Sequence, residues 1–263
     1  MLNKKIKKVI LMGRKKEAVK AVRYLVDKGI NLAAIVGVEN DPSHKELSNT
    51  AEEYGIPFFL EESILYDLIK KKDSSINNVD LVISYLYPKK IKDPLIKLGK
   101  IGCINLHPAP LPDYKSSARY NIPILEERKE YGVSAHFIDF EKFDSGPIIK
   151  VLKFPISKSE NMMSLYEKTQ EKLFKLFKEV IILFQSGEKI KTYENKGGLY
   201  LNREQLEDLK NIDLQKDSIE LINKKIRAFF FPPYNGAKIK IDNLEFTLVN
   251  KEMLKYINKF IKK

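Results

Sequence analysis

The first hundred residues alternate short apolar runs with segments whose apolar positions recur every three or four residues. The apolar runs are typical of buried parallel strands and cover residues 7–12, 31–38, 57–60 and 80–85. The periodic segments between them predict helices over residues 17–28, 46–54 and 61–72. Strands that alternate with helices predict an α/β fold, a Rossmann-like and mostly parallel sheet with helices on both faces.

The pattern continues into the second half of the chain with less regular spacing. A short helix is expected over residues 93–99 and another over 121–127, the latter with Pro123 near its first turn. Strands are predicted over residues 101–106, 132–138 and 148–155, and the longest helix over 161–185. Ser186-Gly187 ends that helix, so we predict a catalytic domain over residues 1–186.

The remaining third, residues 187–263, predicts a smaller C-terminal subdomain. Helices are expected near residues 203–210 and 217–228. A β-hairpin over residues 238–241 and 244–249 should follow, turned at Asp242-Asn243.

Composition narrows the class of protein. Of the 263 residues, 43% are hydrophobic, which is enough for an ordinary core, and no apolar run approaches the ~20 residues that span a membrane. The basic and then apolar start of the chain is too short for a signal peptide and predicts the first strand of a cytoplasmic protein. Because Cys103 is the single cysteine, an internal disulfide and a thiolate zinc site are excluded.

The net charge of +12 has two interpretations. A basic α/β protein that binds nucleic acid is one of them. The lysines, however, are scattered over nearly every predicted surface, and aromatic residues do not interleave with a basic stripe. A lysine-rich solvated surface that helps to attract an anionic substrate is the interpretation we favour, with neither nucleic acid nor membrane as a partner.

Residues 101–149 contain the strongest candidate for a site of chemistry. Asn105 and His107 share one face at the end of a predicted strand, because side chains two apart on a strand point the same way. Three prolines then force an irregular loop, and a later acidic loop ends in Asp144 before Ser-Gly-Pro. An amide, an imidazole and a carboxylate in this order indicate an acid–base site.

Two other features of the sequence bear on ligand binding. His136 lies inside an apolar strand pattern and predicts a packed strand histidine, and no metal-ligand spacing is present, so no metal is expected. The turn after the first strand holds Gly13 but lacks the G-x-G-x-x-G fingerprint, which excludes a dinucleotide cofactor. Gly13-Arg14 could present amides and a guanidinium to a phosphate, or it could be a turn glycine beside a surface arginine.

The motif Asn105-x-His107, a Leu-Pro loop, a strand and Asp144-x-Gly146 resembles the formyltransferase family that uses 10-formyltetrahydrofolate. Residues 226–237, which read IRAFFFPPYNGA, resemble the region after the catalytic domain in nucleotide-sugar N-formyltransferases. The resemblance implies formyl transfer to the amine of a nucleotide-linked amino-deoxy sugar, a surface-polysaccharide precursor. Glycinamide ribonucleotide and methionyl-tRNA are the alternative acceptors, and the strand edges of the hairpin could pair two copies of the chain into a homodimer.

The resemblance also implies roles for particular residues. Asn105 and His107 would stabilise the oxyanion, and Asp144 would orient the imidazole and raise its pKa while His107 shuttles the proton. The expected folate-binding residues are Lys89, Lys90, Ile91, Phe140, Glu141, Lys142, Phe143 and Asp144. The expected substrate-binding residues are Gly13, Arg14, His107, Pro108, Phe231 and Tyr234. Lys115-Ser116 replaces the Arg-Gly pair common in relatives, so contacts carried over from that loop are the least supported.

Overall fold

A computed structural model describes residues 5–115, 120–138, 143–198 and 203–261, with the backbone alone at 203 and 258–261. Seven of the strands in these ranges form one sheet, in the order β3-β2-β1-β4-β5-β6-β7. They are β1 (Lys8–Gly13), β2 (Asn31–Val36), β3 (Phe58–Phe59), β4 (Leu81–Tyr85), β5 (Gly102–His107), β6 (Glu130–Phe137) and β7 (Ile148–Pro155). The pairs from β3 to β5 are parallel, and β6 runs antiparallel to β5.

The helices and a separate hairpin complete the described chain. The helices are α1 (Lys15–Asp27), α2 (His44–Glu53), α3 (Ser63–Lys70), α4 (Asn121–Leu125), α5 (Met162–Ser186), α6 (Arg203–Asp208), α7 (Ile219–Phe229) and α8 (Lys251–Ile261). The antiparallel hairpin consists of β8 (Lys238–Ile241) and β9 (Leu244–Thr247). The predicted fold class, a mostly parallel α/β sheet with a small C-terminal helix and hairpin region, is confirmed. Within the described helices, none combines the length and apolarity that a membrane crossing needs.

One local prediction was wrong, and one helix was missed. The helix expected over residues 93–99 is a single 3-10 turn, Leu95–Lys97, because Pro94 and Gly99 leave too few residues between them for an α-helix. Helix α8 was not predicted. Its start carries a signal that could have revealed it, since the Asn250 side chain accepts a hydrogen bond from the backbone N–H of Met253 at 2.9 Å, as an N-cap does.

Contacts along the chain divide it into two compact units, neither of them a continuous segment. The first contains the residues up to Leu111, Val133–Leu152 and Gln170–Gly197. The second contains Pro112–Gly132, Lys153–Thr169 and the residues from Gly198 onward. The predicted boundary between residues 186 and 187 stays a prediction.

In the first unit, side-chain alternation along the strands separates two apolar layers. On one face Ile10, Val82 and Cys103 pack in a buried cluster with Leu65 of α3. On the other face the ring of Tyr85 meets that of Phe177 in α5, edge to face, with centroids 5.5 Å apart. Asn105 and His107 are two and four residues beyond Cys103 on β5, so they continue the first of these faces to its carboxyl-terminal edge.

In the second unit, buried polar side chains join α4 and α7 to the start of α5. Asn121 Nδ2 donates to the backbone carbonyl of Ala228 at 2.8 Å. Arg227 Nη1 donates to the carbonyl of Glu160 at 2.7 Å. These bonds hold the end of α7 in place. They therefore fix the point from which the aromatic residues after α7 begin.

Candidate active site

Strand register places the polar residues of the candidate site in a row across three neighbouring strands. Ser84 of β4 lies opposite Asn105 of β5, and Asn105 lies opposite His136 of β6. Two residues further along β5, His107 pairs with Ser134 of β6. Residues paired in register project from the same face, so Ser84, Asn105 and His136 are neighbours on that face. The site therefore lies where β5 ends, at the carboxyl edge of the parallel strands.

The carboxylate of Asp144 completes this group from a separate loop. Its Oδ1 lies 3.1 Å from Asn105 Nδ2, 3.1 Å from His107 Nδ1 and 3.4 Å from His136 Nε2. The three residues that the motif singled out, Asn105, His107 and Asp144, are thus brought together. Their roles in catalysis stay a prediction.

The backbone of the Asp144 loop is held in an uncommon conformation. Asp144 has a φ of +49°, in the left-handed region that non-glycine residues seldom adopt. Asn195 Nδ2 donates to the carbonyl of Asp144 at 3.0 Å and to that of Gly146 at 2.8 Å. Asn195 therefore stabilises the strained turn, a role that the sequence pattern did not indicate.

Electrostatics keep Asp144 ionised. Burial acts to raise the pKa of its carboxyl, but the neighbouring histidines, His107 above all, outweigh burial and hold that pKa well below its usual range. His107 itself is almost completely buried, so its Nδ1–H is directed at a charged acceptor shielded from water. In the neutral ring this leaves the lone pair on Nε2, the nitrogen that can accept a proton.

His136 belongs to the same cluster, which the sequence pattern did not reveal. It is a buried strand histidine, as predicted, but its ring is part of the polar group. Its Nδ1 lies 2.8 Å from the carbonyl oxygen of Phe137, and a carbonyl only accepts, so Nδ1 carries the proton. In the neutral ring Nε2 is then an acceptor, and it lies 3.1 Å from Asn105 Nδ2. No pattern within its own strand could have identified this role, because the pairing of Asn105 with His136 is set by the register between β5 and β6.

The turn after β1 uses its backbone amides within the chain. The N–H of Arg14 donates to the carbonyl of Tyr85 at 3.3 Å, and the N–H of Lys15 donates to Asp41 Oδ1 at 3.1 Å. Arg14 Nε donates to the carbonyl of Leu86 at 2.8 Å. Gly13 is buried at the end of β1, where an added Cβ would lie 3.0 Å from that of Ala18. Of the donors expected to meet a phosphate here, the outer guanidinium nitrogens are the best placed.

The predicted folate-binding segment after β4 has mixed exposure. Lys89 Nζ forms an ion pair with Glu62 at 2.9 Å, and the hydroxyl of Tyr87 donates to the same carboxylate at 2.7 Å. Lys90 is exposed, whereas the side chain of Ile91 packs in the core. A contact between Ile91 and a ligand would therefore involve its backbone.

The other predicted ligand contacts lie partly outside the described residues. Phe140, Glu141 and Lys142 are outside them, as is Ser116. Phe143, directly before Asp144, is 60% exposed. Pro108 is buried directly after His107.

Phe231 and Tyr234 of the second unit form a stacked pair, with ring centroids 5.9 Å apart and planes inclined by 28°. Phe231 also meets the ring of Tyr166 edge to face at 5.3 Å, which holds it in place. Tyr234 is 71% exposed, so the pair offers an aromatic face to solvent.

In the ranges that the structure describes, no group of three or more histidine, cysteine, aspartate or glutamate side chains could hold a metal ion. The chemistry available to the site comes from an ionised carboxylate, an imidazole that donates to it and an amide nitrogen at the same carboxylate oxygen. Such a group can stabilise a developing oxyanion and move a proton, which defines an acid–base site for group transfer.

Comparison with known proteins agrees with this class. Residues 7–181 match the family model described as formyl transferase. The match spans more than half of the chain, so the protein belongs to the formyl transferase family and is a formyltransferase. The predicted family and enzyme class are confirmed.

Curated relatives include formyltransferases with different acceptors. The methionyl-tRNA formyltransferase of Kosmotoga olearia is 27% identical over 253 residues, which cover 92% of this chain and 78% of that protein. The GDP-perosamine N-formyltransferase of Brucella melitensis is 29% identical over 163 residues, which cover 62% of this chain and 61% of that protein.

Solved structures share the fold over most of both chains. A 4-N formyltransferase from Francisella tularensis matches with a TM-score of 0.75 and 20% identity, covering 93% of this chain and 97% of that one. An N-formyltransferase from Helicobacter canadensis, in complex with folinic acid and dTDP-3-aminofucose, matches with a TM-score of 0.71 and 22% identity, covering 94% and 89%.

Proposed function

We propose that this protein moves the formyl group of 10-formyltetrahydrofolate to the primary amine of a nucleotide-linked amino-deoxy sugar. The observation that carries the proposal is that Asn105 Nδ2 and His107 Nδ1 both lie 3.1 Å from Oδ1 of Asp144. The amine nitrogen would attack the formyl carbon, the bond from that carbon to the folate nitrogen would break, and a proton would pass from the amine to the departing nitrogen.

Each residue of the cluster has a distinct role in this reaction. Asn105 Nδ2 would donate to the oxyanion of the tetrahedral intermediate by giving up one of its two present contacts, to Asp144 Oδ1 or to His136 Nε2. His107 Nε2 would take the proton from the attacking amine, because Nδ1–H is directed at Asp144. Asp144 would fix the imidazole orientation and stabilise its charged form. Removing one oxyanion donor costs ~10²- to 10³-fold in rate in comparable sites.

The folate donor would bind beside this cluster. Phe143 and the backbone near Ile91 are the candidates for contact with the pterin and benzoyl rings, together with Phe140, Glu141 and Lys142. Lys89 and Lys90 lie on the segment after β4 and carry charges suited to the glutamate tail of a folate. The complex of the Helicobacter canadensis enzyme with folinic acid supports a folate donor.

An exposed aromatic pair and the similarity of the fold to solved N-formyltransferases both support recognition of a nucleotide sugar. Phe231 and Tyr234 would stack on the base of the nucleotide. Arg14 beside Gly13 would contact a phosphate through its outer guanidinium nitrogens, and Pro108 would line the acceptor side of His107. The match to the Helicobacter canadensis N-formyltransferase, which is in complex with dTDP-3-aminofucose, supports the same acceptor class.

Methionyl-tRNA is the second candidate acceptor. The relative from Kosmotoga olearia supports it, since the aligned region covers 78% of that protein. The net charge of +12 would also suit an RNA substrate.

The test is a panel of acceptors supplied with 10-formyltetrahydrofolate, with release of tetrahydrofolate as the readout. The panel holds dTDP- and GDP-linked 3-amino and 4-amino deoxy sugars, glycinamide ribonucleotide and methionyl-tRNA. We expect turnover with one of the nucleotide sugars and a rate at least ~10²-fold lower for His107→Ala. Turnover with methionyl-tRNA alone would assign the second function, and full activity of His107→Ala would reject the proposed mechanism.

A second copy of this chain is the partner we propose for the hairpin. Ile239, Ile241, Leu244 and Phe246 lie on one face of β8 and β9, because Ile241 pairs with Leu244 and Ile239 with Phe246. Ile241 and Leu244 are both more than half exposed, which leaves an apolar face that pairing of two copies would cover. The proposal also places the enzyme in the cytoplasm, where its folate donor and a precursor of a surface polysaccharide would be available.

A further inference from the structure

Ser84 is a buried polar residue that none of the roles above uses. It lies on β4, opposite Asn105 in the register of the parallel pair, and is 3% exposed. Its hydroxyl donates to Asn105 Oδ1 at 2.8 Å. The neighbours of Ser84 along the strand, Ile83 and Tyr85, point to the opposite face of the sheet.

The carboxamide of Asn105 is therefore held at both ends. Its nitrogen faces two acceptors, Asp144 Oδ1 and His136 Nε2, each at 3.1 Å. An ionised carboxylate only accepts, so it determines which end of the amide faces the Asp144 loop. Ser84 holds the opposite end, and among the described residues its hydroxyl is the donor to this oxygen.

A hydrogen bond to an amide oxygen also strengthens the amide as a donor. Electron density drawn to the oxygen makes the N–H groups at the other end more positive, and hydrogen bonds linked in this way reinforce one another. Without the hydroxyl, Asn105 Oδ1 would be left unsatisfied within the sheet, and the carboxamide could rotate away from Asp144 to find a donor.

We propose that Ser84 is a positioning residue of this formyltransferase, one that acts through Asn105 by fixing and polarising its carboxamide. The inference rests on the proposed role of Asn105 in catalysis. The contact between Ser84 and the amide can nevertheless be measured without any acceptor substrate.

The first experiment observes the side-chain amide of Asn105 by ¹H–¹⁵N NMR, with its signals assigned by their loss in Asn105→Asp. In Ser84→Ala we expect both amide proton signals to shift and to exchange with water about tenfold faster, since one hydrogen bond is lost. The control is Ile83→Val, which trims a buried neighbour on the opposite face of β4 and should leave these signals in place. Unchanged Asn105 signals in Ser84→Ala would overturn the proposal.

The second experiment measures formyl transfer with the acceptor that the panel identifies. We expect kcat of Ser84→Ala to fall about tenfold, with KM for both substrates unchanged, because one hydrogen bond to the amide is lost. Ser84→Thr keeps the hydroxyl and should restore most of kcat, and Ser84→Cys, a weaker donor, should lie between them. Thermal unfolding followed by circular dichroism checks that each variant is folded, and Ile83→Val should keep the wild-type kcat.

A double variant separates this inference from the proposed function. If Ser84 acts through Asn105, Ser84→Ala should cost nothing further in an Asn105→Ala background. Two results would reject the role of Ser84 while leaving the proposed function intact. One is that Ser84→Ala lowers kcat in the Asn105→Ala background as much as it does in the wild type. The other is an unaltered kcat of Ser84→Ala when Asn105→Ala is impaired. Full activity of Asn105→Ala would instead reject the proposed mechanism, and the NMR comparison would still decide whether Ser84 holds the amide.

Discussion

At the scale of single residues, one oxygen of Asp144 organises the site. Asn105 and His107 both approach Oδ1 at 3.1 Å, and each contributes a hydrogen to it. The carboxylate can remain charged in this largely buried position because these two donors replace water that it has lost. The same contacts that prepare the site for proton transfer therefore contribute to the stability of the fold.

Replacement of Asp144 by asparagine should change how stability depends on pH. The folded pKa of Asp144 is lowered, so its stabilising contribution is complete above the unfolded pKa of about 3.9 and is lost as pH falls below it. We therefore expect the difference in unfolding free energy between wild type and Asp144→Asn to shrink as the pH falls below ~3.9.

Urea unfolding followed by circular dichroism between pH 3 and 7 measures this difference. The control is Asp242→Asn, which removes an exposed carboxylate in the hairpin turn and should stay within about 0.5 kcal/mol of wild type. A difference for Asp144→Asn that persists undiminished at pH 3 would contradict the assignment.

At the scale of elements, the ends of helices show where the backbone carries strain. Lys72 follows α3 with a φ of +53°, and its N–H donates to the carbonyl of Ile69 while that of Asp73 donates to Leu68. This is the left-handed end that glycine usually occupies. Asp144 adopts a similar φ, but there the strain serves to direct a side chain into the site.

Lys72→Gly should stabilise the protein by about 0.5–1 kcal/mol, because glycine adopts a positive φ without the Cβ clash. Lys71→Gly is the matched control. That residue is also an exposed lysine but has a φ of −77°, so glycine there should destabilise by about 0.5–1 kcal/mol. Urea midpoints of the three proteins give the answer, and a shift in the same direction for both variants would show that the strain argument is wrong.

At the scale of the whole molecule, two surface features affect association. The net charge of +12 disfavours close approach of two copies at low salt. The apolar face of the hairpin favours such approach, and within the hairpin Lys238 is neutralised locally by Glu245 at 2.8 Å. Burial of the apolar face has to outweigh the general repulsion if a dimer forms.

Leu244→Glu should therefore convert a dimer into a monomer, since it places a charge on the apolar face. Sedimentation velocity at 0.15 M salt compares the wild type with this variant and with Lys240→Glu, a charge change on the opposite face of the hairpin. We expect a dimer for the wild type and for Lys240→Glu. A monomeric wild type, or a dimeric Leu244→Glu, would exclude the hairpin as the interface.

Much of the fold could be predicted from the sequence, and some of the site could not. Buried strands such as β4 show as unbroken apolar runs, because a strand covered on both faces has no polar side. Asn105 and His107 were predicted because they adjoin in sequence. The place of His136 in the cluster could not be predicted, because its neighbours Asn105 and Asp144 come from other segments and in its own strand it has the pattern of a core residue.

The order of the strands and of most helices, the presence of a single cysteine and the motif of amide, imidazole and carboxylate followed from the amino-acid sequence, because these depend on periodicity and residue type within short windows. Tertiary structure alone decided that Ser84, Asn105 and His136 form one row and that Asp144 reaches it. Register between strands depends on contacts 20 to 40 residues apart, and those contacts are set by packing of the whole sheet rather than by any local pattern.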